Sequence, residues 1–161
     1  MIEVTIHSMS MDVVSNQPVV ILRSLEDGRL LPIWIGHPEA TAILLNLQDV
    51  IPPRPLTHDL IATILDELTA TVDRIEIDRL EEGTFFASIV LTDGFAERVI
   101  DARPSDSIAI AVRTSSPMFV ADEVMDEAGL SPEDSVDEEV EVERFREFLN
   151  TVDPEDFASS S

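Results

Sequence analysis

Leu25-Glu26-Asp27-Gly28 and Leu91-Thr92-Asp93-Gly94 stand 66 residues apart, and with no gap the same shift sets His37-Pro38 over Arg103-Pro104. Each stretch therefore carries an Asp-Gly turn signal, a short apolar run and an X-Pro step in one register. Gly supplies the positive φ that a tight hairpin needs. Proline suits the first helical turn, where its missing N–H leaves no helical bond unmade. Working outward, the shift matches Val20 to Phe86, Ile33 to Val99 and Trp34 to Ile100, and places Ile6, Met9 and Met11 over Val72, Ile75 and Ile77. Two separate turn signals kept in register argue for an internal duplication.

Each copy reads as two strands, a hairpin, a third strand and a helix. The strands fall near 2–8, 18–25 and 30–35, with a helix at 38–48; the second set is 72–80, 84–92, 96–101 and 104–114. Ala40, Ile43, Leu44 and Leu47 share one helical face, as do Ile108, Ala109 and Val112. Between the copies, Ile51-Pro52-Pro53-Arg54-Pro55-Leu56 is too proline-rich for a helix or a central strand. Thr57 then reads as the N-cap of a helix over 58–70, with Leu60, Ile61, Ile64, Leu65 and Leu68 as its core face. Pro117 to Val120 reads as a short strand, and Asp122 caps a short helix ended by Gly129. Trp34 and most of the seven Phe are expected in the core.

The expected fold class is α+β: a duplicated β-hairpin-strand-helix unit forming a largely antiparallel or mixed sheet with helices packed on it. One domain spans 1–130, with repeats at about 1–50 and 66–116. An acidic tail follows over 131–161, where Val142, Phe145, Leu149 and Val152 are spaced as one amphipathic helix.

Charge limits the partners. The chain carries 33 acidic residues against 10 basic ones, all Arg, for a net charge of −23. Such a field repels polyphosphate at long range, the reverse of a nucleic-acid binder's usual basic footprint. Residues 131–161 hold 11 acids and 2 Arg, which leaves 22 acids and 8 Arg on 1–130. With no Cys there is neither a disulfide framework nor thiolate chemistry. No apolar run is long enough to span a bilayer and the start lacks a signal-peptide pattern, so a cytoplasmic, non-membrane protein is expected.

No strong catalytic motif is present, and three polar clusters remain. Arg54, His58 and Asp59 surround a helix start, where an anion can settle; His58 suits acid–base work and Asp59 a metal or water. Asp101, Arg103, Ser105 and Asp106 sit at a strand-to-helix junction. Two carboxylates there can hold a hard divalent cation, and Arg103 can grip a phosphate as a fork. The matching junction of the first copy, Gly36-His37-Pro38-Glu39, reads as capping residues; under the 66-residue shift Ile35 stands opposite Asp101 and Ala40 opposite Asp106. The plain alternative for all three clusters is that they stabilise helix starts and chain corners.

The stretches Leu31 to Ala40, Arg54 to Leu60, Gly83 to Ala87 and Ile100 to Ala109 together resemble the bifunctional nuclease domain family, in order and over residues 1 to about 128. The tail, with Arg146-Glu147-Phe148-Leu149 and Pro154-Glu155-Asp156-Phe157, resembles that of actinobacterial members. The resemblance implies a nuclease acting on RNA and DNA, a duplicated β-rich fold, and a homo-oligomer with a dimer favoured. It transfers no catalytic residues. The enzyme reading assigns catalysis to His58, Asp59, Asp101 and Asp106, and phosphate binding to Arg54 and Arg103. A divalent cation, Mg²⁺ or Mn²⁺, would sit on Asp101 and Asp106. The competing reading is a non-catalytic regulatory or ligand-binding oligomeric module. The enzyme reading requires the Arg54–Asp59 and Asp101–Asp106 stretches to converge in space.

Overall fold

The computed structural model describes residues 1–134, and the expected amphipathic helix of the tail lies outside them. The first half runs β1 (Ile2–Asp12), β2 (Gln17–Ser24), β3 (Leu30–Trp34) and α1 (His37–Leu47). After α2 (Thr57–Glu67), the second half runs β4 (Thr71–Glu81), β5 (Thr84–Thr92), β6 (Glu97–Ala102) and α3 (Pro104–Thr114). β7 (Met118–Val120), α4 (Asp122–Ala128) and a 3₁₀ turn over Pro132–Asp134 follow. The order β-β-β-α thus occurs twice, and the architecture is α+β.

The seven strands form one mixed sheet in the order β3-β2-β1-β7-β4-β5-β6. β7 sits at its centre although it has only three residues. It pairs antiparallel with Ile2–Val4 of β1 and parallel with Ile75–Ile77 of β4. β1 and β4 consequently run in opposite directions, and the two meanders are arranged head to tail about β7. Both long strands are bulged, β1 between Ile6 and Ser8 and β4 at two places. Bulges strengthen the right-handed twist, which curls the sheet over its inner face.

That inner face holds the core. Met9, Val20, Leu22, Leu31, Ile33, Ile75, Ile77 and Ile89 meet Ile43 and Leu44 of α1, Ile108 and Ile110 of α3, and Met125 of α4. Burying an Ile or Leu side chain of this kind contributes about 1.5–3 kcal/mol. Val19, Ile21 and Leu30 make a second, small cluster on the opposite face. Gly28 and Gly94 have the positive φ expected of the Asp-Gly turns. The β4–β5 turn is tighter: Glu82 and Gly83 both adopt positive φ in a two-residue loop, the combination that matches strand twist in a hairpin.

Several expectations need correction. Thr57 is the first residue of α2 and Leu56 its N-cap, with no side-chain cap. Only Ile61 and Leu65 of the expected α2 core face pack on the core, while Leu60, Ile64 and Leu68 are exposed. α2 lies at the margin of the helix layer against α3, so one narrow stripe of it is covered. Leu47 of α1 is exposed as well. Trp34 is 49% exposed and Phe95 is fully outside. Trp34 pairs with Val19, on the face away from the main core.

Candidate functional site

The corners where β3 enters α1 and β6 enters α3 have the same build. Gly36 and Arg103 are the N-caps, both extended (ψ 156° and 147°), and proline lies in the first turn of each helix. The third helical residues are Glu39 and Asp106. At these corners the structural offset is 67 residues rather than 66. A one-residue slip exchanges the faces of a strand; Asp106 therefore corresponds to Glu39, not to Ala40, and Asp101 to Trp34, not to Ile35. Both corners carry a carboxylate at the positive end of a helix dipole.

Curling of the sheet brings the corners together at one guanidinium. Arg103 donates from Nη2 to Glu39 Oε1 at 2.9 Å and from Nε to Asp106 Oδ2 at 2.9 Å. The other Asp106 oxygen, Oδ1, lies 2.8 Å from His58 Nε2. Of the two stretches, His58 and Asp106 meet here. Burial pushes the Asp106 carboxyl upward, but the bonds from His58 and Arg103 outweigh it and hold the group below its ordinary value. Asp106, then Glu39, raise Arg103. Arg103 remains 66% exposed, whereas His58 is only 7% exposed.

Asp59 turns away from this cluster. Its Oδ2 accepts the Leu56 N–H at 2.9 Å and its Oδ1 accepts Arg113 Nε at 2.7 Å. Burial raises Asp59, and the donors Leu56 and Arg113 overcome that and leave it lowered. Arg113 is 6% exposed and also donates to the carbonyls of Ala109 and Ala42 at 2.8 and 3.0 Å. One buried guanidinium thus pins α1, α2 and α3 together. Arg54 is exposed and makes no ion pair with any described residue.

Asp101 is not part of the cluster. It pairs with Ser88, between the inward-facing Ala87–Ala102 and Ile89–Ile100 pairs. Its carboxylate therefore leaves the sheet on the side away from α3, and Asp101 and Asp106 do not share a cation. Among the described residues, no group of three His, Cys, Asp or Glu is placed to hold a metal. Asp106 also has both oxygens engaged by N–H-bearing groups. This donor set does not fit a resident divalent ion.

Beside Arg103 opens a cleft of about 280 Å³, lined by residues of both halves, among them Gln17, Trp34, Gly36, Phe85, Arg103 and Ser105. Its lining, the Glu39–Arg103 pair and the Arg113 pin all escaped the sequence reading. The alignment of Glu39 with Asp106 at the 67-residue offset was the one signal available. Arg113 and Asp59 are 54 residues apart and give no local pattern.

The bifunctional nuclease domain model matches residues 20–133, which include every residue of both corners. The chain belongs to the bifunctional nuclease domain family. Across 98% of its length and 99% of the relative's, it is 43% identical to an uncharacterised protein of Mycobacterium tuberculosis strain H37Rv. Bifunctional nuclease 2 of Oryza sativa subsp. japonica is 30% identical over 65% of this chain and 33% of the rice protein. Bifunctional nuclease 1 of Arabidopsis thaliana is 29% identical over 64% and 33%. Among the described residues of this family member, no helix is long and apolar enough to cross a membrane.

Proposed function

We propose that the chain is a nuclease that hydrolyses phosphodiester bonds in RNA and DNA at the Arg103 corner. The observation that carries this reading is Arg103 itself: an exposed guanidinium at the rim of a cleft, held by a carboxylate from each half. Family membership and the names of the plant relatives support it. Arg103 uses Nε and Nη2 on protein, which leaves Nη1 to a phosphate oxygen. A bound phosphate draws the guanidinium from Glu39 and Asp106 and frees a carboxylate oxygen to orient a water for attack. His58 stands behind Asp106, fixes its orientation and exchanges a proton with it. Arg54, exposed and without an ion pair among the described residues, adds charge for the strand. The cation expected on Asp101 and Asp106 has no place in this scheme, and no step passes through a metal.

The test is an assay of purified protein on single-stranded RNA and DNA, in EDTA and in Mg²⁺. Cleavage of both nucleic acids in both buffers is expected. A strict requirement for added Mg²⁺ contradicts the metal-free scheme, and no cleavage in any buffer sinks the nuclease reading.

A second reading, an oligomeric binding module, is favoured by one feature. Leu60, Ile64 and Leu68 form an exposed apolar stripe at four-residue spacing, and stripes of this kind mark contact surfaces. A homodimer closed through α2 would cover it. Sedimentation at micromolar concentration is expected to return twice the chain mass, falling to one chain mass in Ile64→Glu. A monomeric wild type rejects the dimer.

A further inference from the structure

The catalytic reading uses the phosphate end of the cleft and leaves the rest of its volume unassigned. Besides Arg103, the cleft is lined by residues that include Gln17, Ile33, Trp34, Ile35 and Phe85. We infer that this volume takes one unstacked nucleobase of a single-stranded nucleic acid, seated against Trp34 and Phe85 while its phosphate meets Arg103. The inference rests on the nuclease reading for the identity of the anion, and on the cleft alone for the base.

Three observations carry it. Trp34 is a large apolar ring left half exposed, yet it is held in place: its Nε1–H donates to Asp12 Oδ2 at 2.9 Å. An immobilised ring loses little freedom when a second ring stacks on it. Aromatic faces accept any base, each stack contributing about 1–3 kcal/mol, which suits an enzyme acting on RNA and DNA alike. Gln17 brings both a donor and an acceptor to the edge of whatever enters. Size and charge then select the strand. About 280 Å³ is on the scale of one base with part of its sugar. The net charge of −23 opposes the dense phosphate array of a duplex more than the sparser one of a single strand.

The protein carries its own probe, because Trp34 is its only tryptophan. Full-length protein is titrated at low salt with a short oligothymidylate, with a blunt duplex containing the same strand, and with inorganic phosphate, while Trp34 emission is recorded. Saturable quenching by the single strand is expected, with the duplex and phosphate at least about tenfold weaker, and the bound strand should shield Trp34 from acrylamide. Phe85→Leu keeps the apolar volume but removes the ring, and should raise the quenching midpoint about tenfold, in line with one lost stack. Should Phe85→Leu fail to fold, the acrylamide arm on wild type decides.

Unchanged emission at millimolar oligonucleotide, or equal quenching by the duplex, overturns the base site. Cleavage is followed in the same samples and keeps the two readings apart. Quenching without cleavage removes the nuclease reading and keeps the base site. Cleavage without quenching removes the base site alone.

Discussion

Arg113→Ala lowers the unfolding free energy by about 3 kcal/mol, the low end of the cost of breaking a buried ion pair. The expectation follows from what the guanidinium holds. Asp59 loses the charged one of its two anchors, the Ala42 carbonyl loses a donor, and α1, α2 and α3 lose their common tie. The Asp59 side chain is 29% exposed, so water replaces part of the loss. That exposure keeps the expected cost at the low end. Replacing Arg113 by Met fills the space without a charge and should cost less than Ala, since hydrocarbon of similar volume avoids a cavity. Urea unfolding followed by circular dichroism measures both. A midpoint for Arg113→Ala within error of wild type would show that the pin contributes nothing.

Asp106→Asn lowers kcat/KM on single-stranded substrate by about 10²–10³-fold, the range seen when one positioned catalytic group is removed. Asparagine keeps an acceptor for His58, so the fold should hold and its melting temperature should move little. What it removes is the negative charge. Arg103 then rests on Glu39 alone, and the oxygen proposed to orient water no longer accepts a proton. The loss should fall mainly in kcat, because Arg103 still greets the phosphate. The measurement is steady-state cleavage beside wild type and Asp101→Asn. Asp101 faces the other side of the sheet, so its variant should cleave like wild type. Equal losses in the two variants would refute the assignment of the site to the Arg103 corner.

Much of the scaffold could be read residue by residue because its signals are local. Turn glycines need positive φ, prolines open α1 and α3, and period-two or period-3.6 apolar spacing follows from strand and helix geometry. α2 shows where such reading stops. Its five apolar residues have perfect helical spacing, yet three face solvent, since spacing says that a face exists and not what covers it. The corners show a subtler failure: one register of 66 residues aligned the punctuation but misassigned the partner of Asp106, because insertions and bulges change the offset along the chain. His58 lies against Asp106, another of the candidates, although 48 residues separate the two in the chain. A strand-to-helix junction lets Asp101 and Asp106 face one end of the sheet, but strand alternation places Asp101 on the far face.

The amino-acid order alone determined the strands, the three longer helices and the α+β class, since each depends on neighbours within a few residues. Placement of three-residue β7 at the sheet centre, the meeting of Arg103 with Glu39 and Asp106, the burial of Arg113 and the cleft beside Trp34 came only with the tertiary structure. Those contacts join residues tens of positions apart. They depend on how a bulged sheet curls, a property of the whole assembly that no local pattern encodes.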